Sequence, residues 1–442
     1  MSATAVPRDN AGVGHGFPAR HCSSAGAAIR RGAIILRTGW MGRAQVAGGG
    51  FSSRRLVRVR ELLEGHVDSG FVPGAVAVLA RHGEVHVEAT GTLAFEGAGA
   101  RTPMAGDTIC RLGSMTKPIV AACAMTLLED RTLRLDDPVD DLLPELADLT
   151  VLADPDGPLD DTVPADRAIT VRDVLTSTLG TGMVPAEPGT VPIADAMGVL
   201  YRAAPPDVWI GRLGALPLVH QPGERWMYET AANVTAVLVA RATGTSFGAA
   251  LRERVCGPLG MTDTAFSVGG ESLGRLATAY ERDDDATGKA VVEDPPDGRW
   301  SRPPVFESGG GGLVSTAEDY LAFASALLAG GVHRGERVLS RPAVALLTSD
   351  QLTPAQKAAS GFWPGYFDAM GWGFGMSVRT RRTHLGPSVG SYGWPGLYGT
   401  AWYNDPAEDL TALLFLQRAH AGDQRLPRSQ DFWTAVYQAI DD

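Results

Sequence analysis

The chain has 442 residues, of which 44% are hydrophobic and 20% charged, with a formal net charge of −11 at pH 7. This acidic balance argues against a nucleic-acid partner or a polybasic membrane patch. The length accommodates two modest domains or one large interrupted domain. No apolar run approaches the length of a membrane-spanning helix. We therefore expect a cytoplasmic globular protein of undetermined oligomeric state.

The first 50 residues differ in composition from the rest of the chain. They are rich in Gly, Ala and Arg, contain Asp9 as their one acidic residue and show no hydrophobic period. We interpret residues 1–50 as a disordered extension, with Met41 as an alternative first residue. An Arg-rich transit peptide is the minority interpretation.

Ordered structure is expected to begin just after this extension. The spacing of apolar residues predicts an amphipathic helix over Arg54–Val67. Gly74–Ala80 and Val85–Ala89 are separated by the short segment His82-Gly83-Glu84, which predicts a hairpin. A second helix is expected to start at Ser114.

The middle of the chain has a mainly helical pattern. The segment 141–222 is rich in Pro and Asp and carries short helical patterns, and a longer helix near Ala231 should end at Gly244 as a C-cap. Ser315 and Glu318 fit a capping box that would start a helix running to Leu328.

The last third of the chain returns to strands. The predicted strands are Gly375–Arg379, Gly399–Tyr403 and Leu410–Leu416, followed by a helix over Gln430–Ile440. We therefore predict an α/β (α+β) fold, in which an antiparallel sheet flanked by helices is built from residues 51–140 and 305–442. Residues 141–304 would form an inserted, mainly helical domain.

Ser114 and Lys117 are the candidate nucleophile and base. Residues three apart at a helix start share one face, which places an amine within reach of the hydroxyl. The chain has 39 basic residues but only three lysines, so it uses lysine rarely; unlike arginine, lysine can lose its proton. A helix N-terminus favours an oxyanion at Ser114 and disfavours protonated Lys117. We expect a neutral Lys117 to accept the serine proton; the alternative is an exposed helical lysine.

Two later segments complete a pattern with this pair. Gln221-Pro-Gly-Glu-Arg-Trp-Met-Tyr228 leads into a helix, and Trp394-Pro-Gly396 precedes a strand hairpin. Together with Ser114-x-x-Lys117, these segments resemble the class C β-lactamase-like serine hydrolases, and within them the carboxylesterase branch fits best. The resemblance runs from about Phe51 to the C-terminus and implies the β-lactamase/transpeptidase-like fold of penicillin-binding proteins.

The resemblance also implies a mechanism. Ser114 would be the acylated nucleophile, Lys117 its base, and Tyr228 a phenol that shares proton transfer and helps to activate the deacylating water. The backbone N–H groups of Ser114 and Leu397 would form the oxyanion hole. No cofactor and no metal are expected.

This chain departs from the lactamase pattern at two positions. Thr230 replaces the Asn of Tyr-x-Asn, and Trp394 replaces the Lys of Lys-Thr-Gly. An indole cannot pair with a substrate carboxylate, so a small neutral ester is the expected substrate and partner. Thr230, Trp394, Gly396 and Tyr398 are the candidate substrate-binding residues.

Several alternatives remain open. A β-lactamase, a D-amino-acid peptidase or an acyltransferase could use the same fold, and a non-catalytic binding homologue is the third hypothesis. Gly244-Thr-Ser-Phe-Gly248 matches Gly-x-Ser-x-Gly but follows a helix, so Ser246 is interpreted as an N-cap. His384-Leu-Gly386 imitates the third motif but lies too far upstream of the following strand.

Overall fold

The computed structural model describes residues 48–282, 289–361, 364–419 and 425–442. These residues belong to one compact unit, Gly42–Asp442. The extension predicted for residues 1–50 lies, except for its last three residues, outside the described residues. A helix is present where one was expected at the start, over Ser53–Asp68.

The described residues form the following α-helices and strands. The α-helices are α1 (Ser53–Asp68), α2 (Thr116–Glu129), α3 (Val171–Thr176), α4 (Pro192–Met197), α5 (Pro206–Gly214), α6 (Thr230–Thr243), α7 (Phe247–Leu251), α8 (Gly257–Leu259), α9 (Ala317–Leu328), α10 (Arg341–Leu347), α11 (Pro354–Ala359) and α12 (Arg425–Tyr437). The strands are β1 (Gly74–Arg81), β2 (Glu84–Gly91), β3 (Cys110–Arg111), β4 (Thr150–Leu152), β5 (Thr162–Pro164), β6 (Ala279–Arg282), β7 (Ala290–Asp294), β8 (Val314–Ser315), β9 (Val332–His333), β10 (Glu336–Arg337), β11 (Met370–Trp372), β12 (Ser377–Arg379), β13 (Tyr392–Pro395), β14 (Ala401–Asp405) and β15 (Leu410–Phe415).

One seven-stranded sheet forms the centre, in the order β11-β12-β13-β14-β15-β1-β2. Every neighbouring pair in it is antiparallel, so the predicted antiparallel sheet flanked by helices is confirmed. The first and the last strand of the chain, β1 and β15, are direct neighbours in this sheet. Two short strands of this sheet, β11 and β13, were missed from the sequence, as were the short strands β3 to β10 outside it. The segment Trp394-Pro395 lies inside β13 rather than ahead of a strand.

The alternation of side chains along β1 explains why both faces of the sheet are covered. Val76 and Val78 pack into the cluster that contains the α2 side chains. Ala75, Ala77 and Leu79 point to the other face, into the cluster that contains α1 and α12. Successive strand residues face opposite sides of the sheet, so a continuously apolar strand must be buried on both faces. The result is three layers, with the sheet between two sets of helices.

The helix ends test the capping predictions. Helix α6 ends at Gly244 in the left-handed conformation, with a φ of +67°, as predicted. The predicted N-cap of α9 is wrong by one residue. The Thr316 side chain accepts a hydrogen bond from the N–H of Asp319, whereas the predicted cap, Ser315, lies in β8. Ser and Thr are both preferred N-cap residues, so the sequence alone did not separate the two adjacent positions.

Residues 141–304 contain the helices α3 to α8 and two short antiparallel ribbons, β4–β5 and β6–β7. Their separation as an inserted domain stays a prediction. Within the described ranges, no single helix is long and apolar enough to span a membrane. One pair meets the length and composition criteria together but is bent by 82°: α6, and the continuous helical stretch Phe247–Leu259 formed by α7, a π-helical turn and α8.

A buried ion pair anchors the strand that precedes Ser114. The Arg111 side chain is fully buried in β3, and its guanidinium donates to Asp294 on β7 and to the carbonyl O of Ala277. It also lies 5.2 Å from the ring centroid of Trp300. Since both charged partners are out of water, each depends on the other.

We expect Arg111→Met to lower the free energy of unfolding by about 3–5 kcal/mol, because it leaves the Asp294 carboxylate buried without its cation. Urea denaturation measures this loss. Arg172→Met is the matched control, because the Arg172–Asp136 pair is exposed and such pairs contribute about 1 kcal/mol or less. Equal losses in the two variants would contradict the expectation.

Candidate active site

Ser114 lies in a single 3-10 turn, Gly113–Met115, that joins β3 to α2. Gly113 has a φ of +55°, and a Cβ built on it would come 2.7 Å from the amide N of Leu397. The left-handed conformation and the close approach both require glycine here. The turn leads into α2, which is buried over most of its length, so core packing fixes the backbone position of Ser114.

Lys117 lies one helical turn after Ser114, and three acceptors surround its ammonium group. Its Nζ donates to Ser114 Oγ (2.9 Å), Glu229 Oε2 (2.7 Å) and the carbonyl O of Gly310 (2.6 Å). These contacts use the three hydrogens of an ammonium group. The Lys117 side chain is only 3% exposed, so the alternative of an exposed helical lysine is wrong.

The charge state of Lys117 differs from the expectation. Burial lowers the pKa of Lys117, but the Glu229 carboxylate and the Tyr228 phenol outweigh burial, so the pKa is raised above its ordinary value. The predicted neutral amine is therefore wrong for the resting site, where Lys117 is an ammonium ion. A helix N-terminus contributes about 0.3–1 kcal/mol, which is less than a buried carboxylate at hydrogen-bond distance provides.

Tyr228 lies beside the same ammonium group. The Lys117 Nζ is 4.6 Å from the centroid of the Tyr228 ring, and the Tyr228 hydroxyl accepts a hydrogen bond of 2.9 Å from the indole Nε1 of Trp394. The backbone holds this loop in place, because the N–H of Met183 donates to the carbonyl O of Tyr228. The structure thus brings together the three predicted catalytic side chains.

Glu229 is the site residue that the sequence interpretation missed. It occupies the middle position of Tyr-Glu-Thr, which was treated as a spacer, and its φ of +83° is unusual for a residue with a side chain. A Cβ on Gly310 would lie 2.4 Å from Glu229 Oε1, so glycine allows the carboxylate and the Gly310 carbonyl to approach Lys117 together. A buried lysine needs a counter-charge, and this requirement could have pointed to Glu229 as a site residue.

The predicted oxyanion hole has a consistent backbone geometry. Gly396 packs so closely on the segment that follows β3 that a Cβ there would lie 2.0 Å from the carbonyl O of Leu112. Thr400 donates through its Oγ1 to the same carbonyl (2.8 Å). This packing places the amide N of Leu397 next to the turn that carries Ser114. The pairing of the two N–H groups as an oxyanion hole stays a prediction.

The four candidate substrate-binding residues have different surroundings. Thr230 is buried and is the first residue of α6. Trp394 is buried in β13, where its ring centroid lies 4.7 Å from that of Trp372. Gly396 lies beside the Ser114 turn, as described above. The Tyr398 hydroxyl instead donates a hydrogen bond to Glu293 (3.2 Å), so the Tyr398 side chain points to Glu293 and not to Lys117.

Aromatic side chains form the wall next to Tyr228. Trp394 packs in one cluster with other buried and half-buried apolar side chains, namely Trp226, Tyr228, Leu352, Trp372, Met183, Tyr366 and Phe367. Such a wall is typical of a pocket for an apolar group.

The two competing motifs lie elsewhere. Ser246 is the N-cap of α7, where its Oγ accepts a hydrogen bond from the N–H of Ala249 (3.2 Å), so its interpretation as a cap is confirmed. His384 lies in the segment between β12 and β13 and contacts Thr383. In the described ranges, no three His, Cys, Asp or Glu side chains cluster as a metal site requires.

Comparison with known proteins identifies the family. A family model described as Beta-lactamase matches residues 59–431. The chain belongs to the Beta-lactamase family. Within it, the chain is 41% identical over 356 residues to Protein Rv1367c of Mycobacterium tuberculosis, covering 79% of this chain and 87% of that protein. It is 33% identical over 370 residues to Esterase EstB of Burkholderia gladioli, with the same coverage of 79% and 87%.

Other members of the Beta-lactamase family are named for acyl transfer. The chain is 29% identical over 387 residues to a monacolin J acid methylbutanoyltransferase of Aspergillus terreus, covering 79% of this chain and 88% of that protein. Among solved structures, a LovD6 mutant of the simvastatin synthase of Aspergillus terreus superposes with a TM-score of 0.72 at 26% identity, covering 87% of this chain and 95% of that one. The family thus includes both hydrolases and acyltransferases, and the predicted β-lactamase-like fold is confirmed.

The Trp394 indole has a measurable role in this arrangement. We expect Trp394→Phe to lower kcat for a neutral ester about 3- to 10-fold with little change in KM, because one hydrogen bond to the Tyr228 hydroxyl contributes about 0.5–1.5 kcal/mol. Steady-state kinetics on p-nitrophenyl butyrate measure both constants.

Trp402→Phe is the control for this variant. Trp402 is the cross-strand partner of Trp394 and also loses an indole hydrogen bond, to Asn404 Oδ1. It should change stability but not the kcat of the folded protein. A change in KM as the main effect of Trp394→Phe would mean that the indole contacts substrate directly.

Proposed function

We propose that this protein is a serine carboxylesterase that cleaves small neutral esters through an acyl-enzyme on Ser114. The main support is the 2.9 Å hydrogen bond between Ser114 Oγ and the buried Lys117 Nζ, with the Tyr228 phenol next to the same Nζ. A nucleophile in contact with a proton-transfer group is the arrangement that acyl transfer requires.

Acylation forms one bond and breaks one. Ser114 Oγ attacks the ester carbonyl carbon while its proton passes to the coupled Lys117–Tyr228 pair, which can accept it once the pair has itself lost one proton to solvent. The negative charge on the carbonyl oxygen is stabilised by the N–H groups of Ser114 and Leu397. When the C–O bond to the alcohol breaks, the pair returns a proton to the leaving oxygen. Water then adds to the acyl-enzyme, gives a proton to the same pair and releases the acid.

The third motif supports an ester rather than an acidic lactam as the substrate. The position that holds a lysine in Lys-Thr-Gly is Trp394, and its indole N–H is already used by the Tyr228 hydroxyl. Thr230, in place of asparagine, offers fewer hydrogen bonds to a substrate amide. The similarity to a relative named Esterase EstB, which is 33% identical, also supports an ester substrate.

Acyl transfer to an alcohol is the second candidate. The acyl-enzyme is common to both reactions, and only the acceptor in the second step differs. The 29% sequence identity to a methylbutanoyltransferase, over an alignment that covers 79% of this chain, supports this candidate. In a transferase, an added alcohol would capture the acyl group in preference to water.

Substrate profiling tests the proposal. We expect p-nitrophenyl acetate and butyrate to show a burst of one nitrophenolate per protein, followed by turnover, and nitrocefin to turn over far more slowly. Rate measurements with added butanol compare butyl ester with free acid as the product. Nitrocefin turnover equal to ester turnover would contradict the esterase assignment, and butyl ester as the main product would favour the acyltransferase.

A further inference from the structure

Glu229 is a charged group in the site that the serine–lysine–tyrosine mechanism does not use. Its side chain is only 23% exposed, and its Oε2 lies 2.7 Å from Lys117 Nζ. Its backbone has a φ of +83° and a ψ of −64°, the conformation of a strained γ-turn. Such a conformation costs about 1–3 kcal/mol and persists only where the surrounding structure enforces it. The carboxylate is therefore held against the ammonium group rather than meeting it by chance.

The surroundings of Glu229 fix this geometry. Asn233, one turn into α6, accepts hydrogen bonds through its Oδ1 from the N–H of Gly310 (3.0 Å) and the Oγ of Ser308 (2.9 Å). This places the Gly310 carbonyl on Lys117 Nζ at 2.6 Å. Lys117 thus lies between a fixed carbonyl dipole and a fixed carboxylate, both of which favour its charged form.

We propose that Glu229 is a positioning residue that holds Lys117 as an ammonium ion and thereby sets the pH above which the Lys117–Tyr228 pair can accept the proton of Ser114. The inference rests on the proposed esterase function. A negative charge beside the pair opposes loss of a proton from either member, so the pH threshold rises whether the basic form is a neutral lysine or a phenolate.

Two further tyrosines in the described part of the chain face the Lys117–Tyr228 pair. Tyr201 faces it from the turn that precedes α5, and Tyr366 packs in the aromatic cluster that contains Tyr228. Burial raises the pKa of Tyr366 well above its ordinary value. Partial burial and the Glu229 charge raise the pKa of Tyr201, whereas Lys117 lowers it. A Tyr201→Phe background therefore separates the Glu229 effect from titration of this second phenol.

The direction of the effect follows from the charges. The pKa of Lys117 is raised even though burial, the largest single influence, lowers it. Glu229→Gln keeps the side-chain size and a hydrogen-bond acceptor but removes the negative charge. The limb of kcat/KM that rises with pH should then move to lower pH by about 1–3 pH units, the range produced by one close opposite charge.

This result would separate charge from structure. On the acid side of the wild-type limb, we expect Glu229→Gln to be more active than the wild type, by up to about 10-fold for each pH unit that the limb moves. KM for a neutral ester should stay the same, because Glu229 is assigned no contact with substrate. A purely structural role would instead lower activity at every pH. Glu229→Asp, which retains the charge, should keep the limb near its wild-type position.

The lysine content of the chain allows a direct measurement. Only three lysines are present, Lys117, Lys289 and Lys357, so protein labelled with 13C at lysine Cε gives three signals. The signal that is missing in Lys117→Met belongs to Lys117. Its titration midpoint should fall in Glu229→Gln in parallel with the rate limb, and this readout does not depend on turnover.

Glu145→Gln is the matched control variant. Glu145 is also partly buried and paired with a cation, Arg241, at 2.7 Å, but it lies outside the site. It should shift neither the rate limb nor the Lys117 signal. If Glu229→Gln leaves the limb or the Lys117 midpoint unchanged, the inference is overturned. The absence of a Ser114-dependent burst in the wild type would instead overturn the esterase proposal, while the Lys117 titration would still report on Glu229.

Discussion

Replacing Ser114 with alanine should lower kcat for p-nitrophenyl butyrate by about 10⁴-fold or more, because it removes the atom that forms the acyl bond. Ser114 is half-buried, and alanine fits the space of serine, so the variant should fold normally. The nitrophenolate burst should disappear together with the steady-state rate. Stopped-flow absorbance at equal protein concentration measures both.

Ser246→Ala is the control for this prediction. Ser246 is the serine of the competing Gly-x-Ser-x-Gly segment, and its hydroxyl caps α7. Losing a cap costs about 0.5–2 kcal/mol of stability but should leave kcat unchanged. If Ser246→Ala abolished activity while Ser114→Ala retained it, the site would have been assigned to the wrong serine.

Replacing Lys117 with methionine should lower kcat by about 10³-fold, within the range attributed to positioned acid–base groups. Methionine has a similar length but neither accepts nor donates the proton. Lys117→Arg should be as inactive as Lys117→Met, because arginine retains the charge but does not give up its proton in proteins. Nitrophenolate release over pH 6–10 compares the two variants.

The methionine variant leaves the Glu229 carboxylate without its cation in a partly buried position. A loss of stability would follow from that charge and could be mistaken for a loss of catalysis. The double variant Lys117→Met/Glu229→Gln removes both charges, so it should recover stability without recovering activity. Recovery of both would show that Lys117 acts only through the fold.

The fold could be predicted where burial imposes a simple period. The run Gly74–Ala80 is apolar on both faces, which predicted a strand, and β1 packs against helices on its two sides. The short strands β11 and β13 were missed because three or four residues containing glycine show no period. The helix at Ser114 was found because its apolar residues are continuous and a small residue precedes them.

The part of the site that is local in sequence could be predicted. Ser114 and Lys117 are neighbours within one helical turn, so sequence spacing alone brings them together. Glu229 and Trp394 reach the site through tertiary structure: Glu229 depends on a strained turn of positive φ beside Gly310, and Trp394 depends on the position of β13. The charge state of Lys117 followed from Glu229, which explains why a local argument from the helix N-terminus gave the wrong sign.

The most direct test of an acyl-enzyme on Ser114 is mass spectrometry of protein quenched during turnover of p-nitrophenyl butyrate. We expect one butyryl adduct per chain, on the peptide that contains Ser114, and no adduct in Ser114→Ala. An adduct on a different residue, or ester turnover that persists in Ser114→Ala at the wild-type rate, would contradict the assignment.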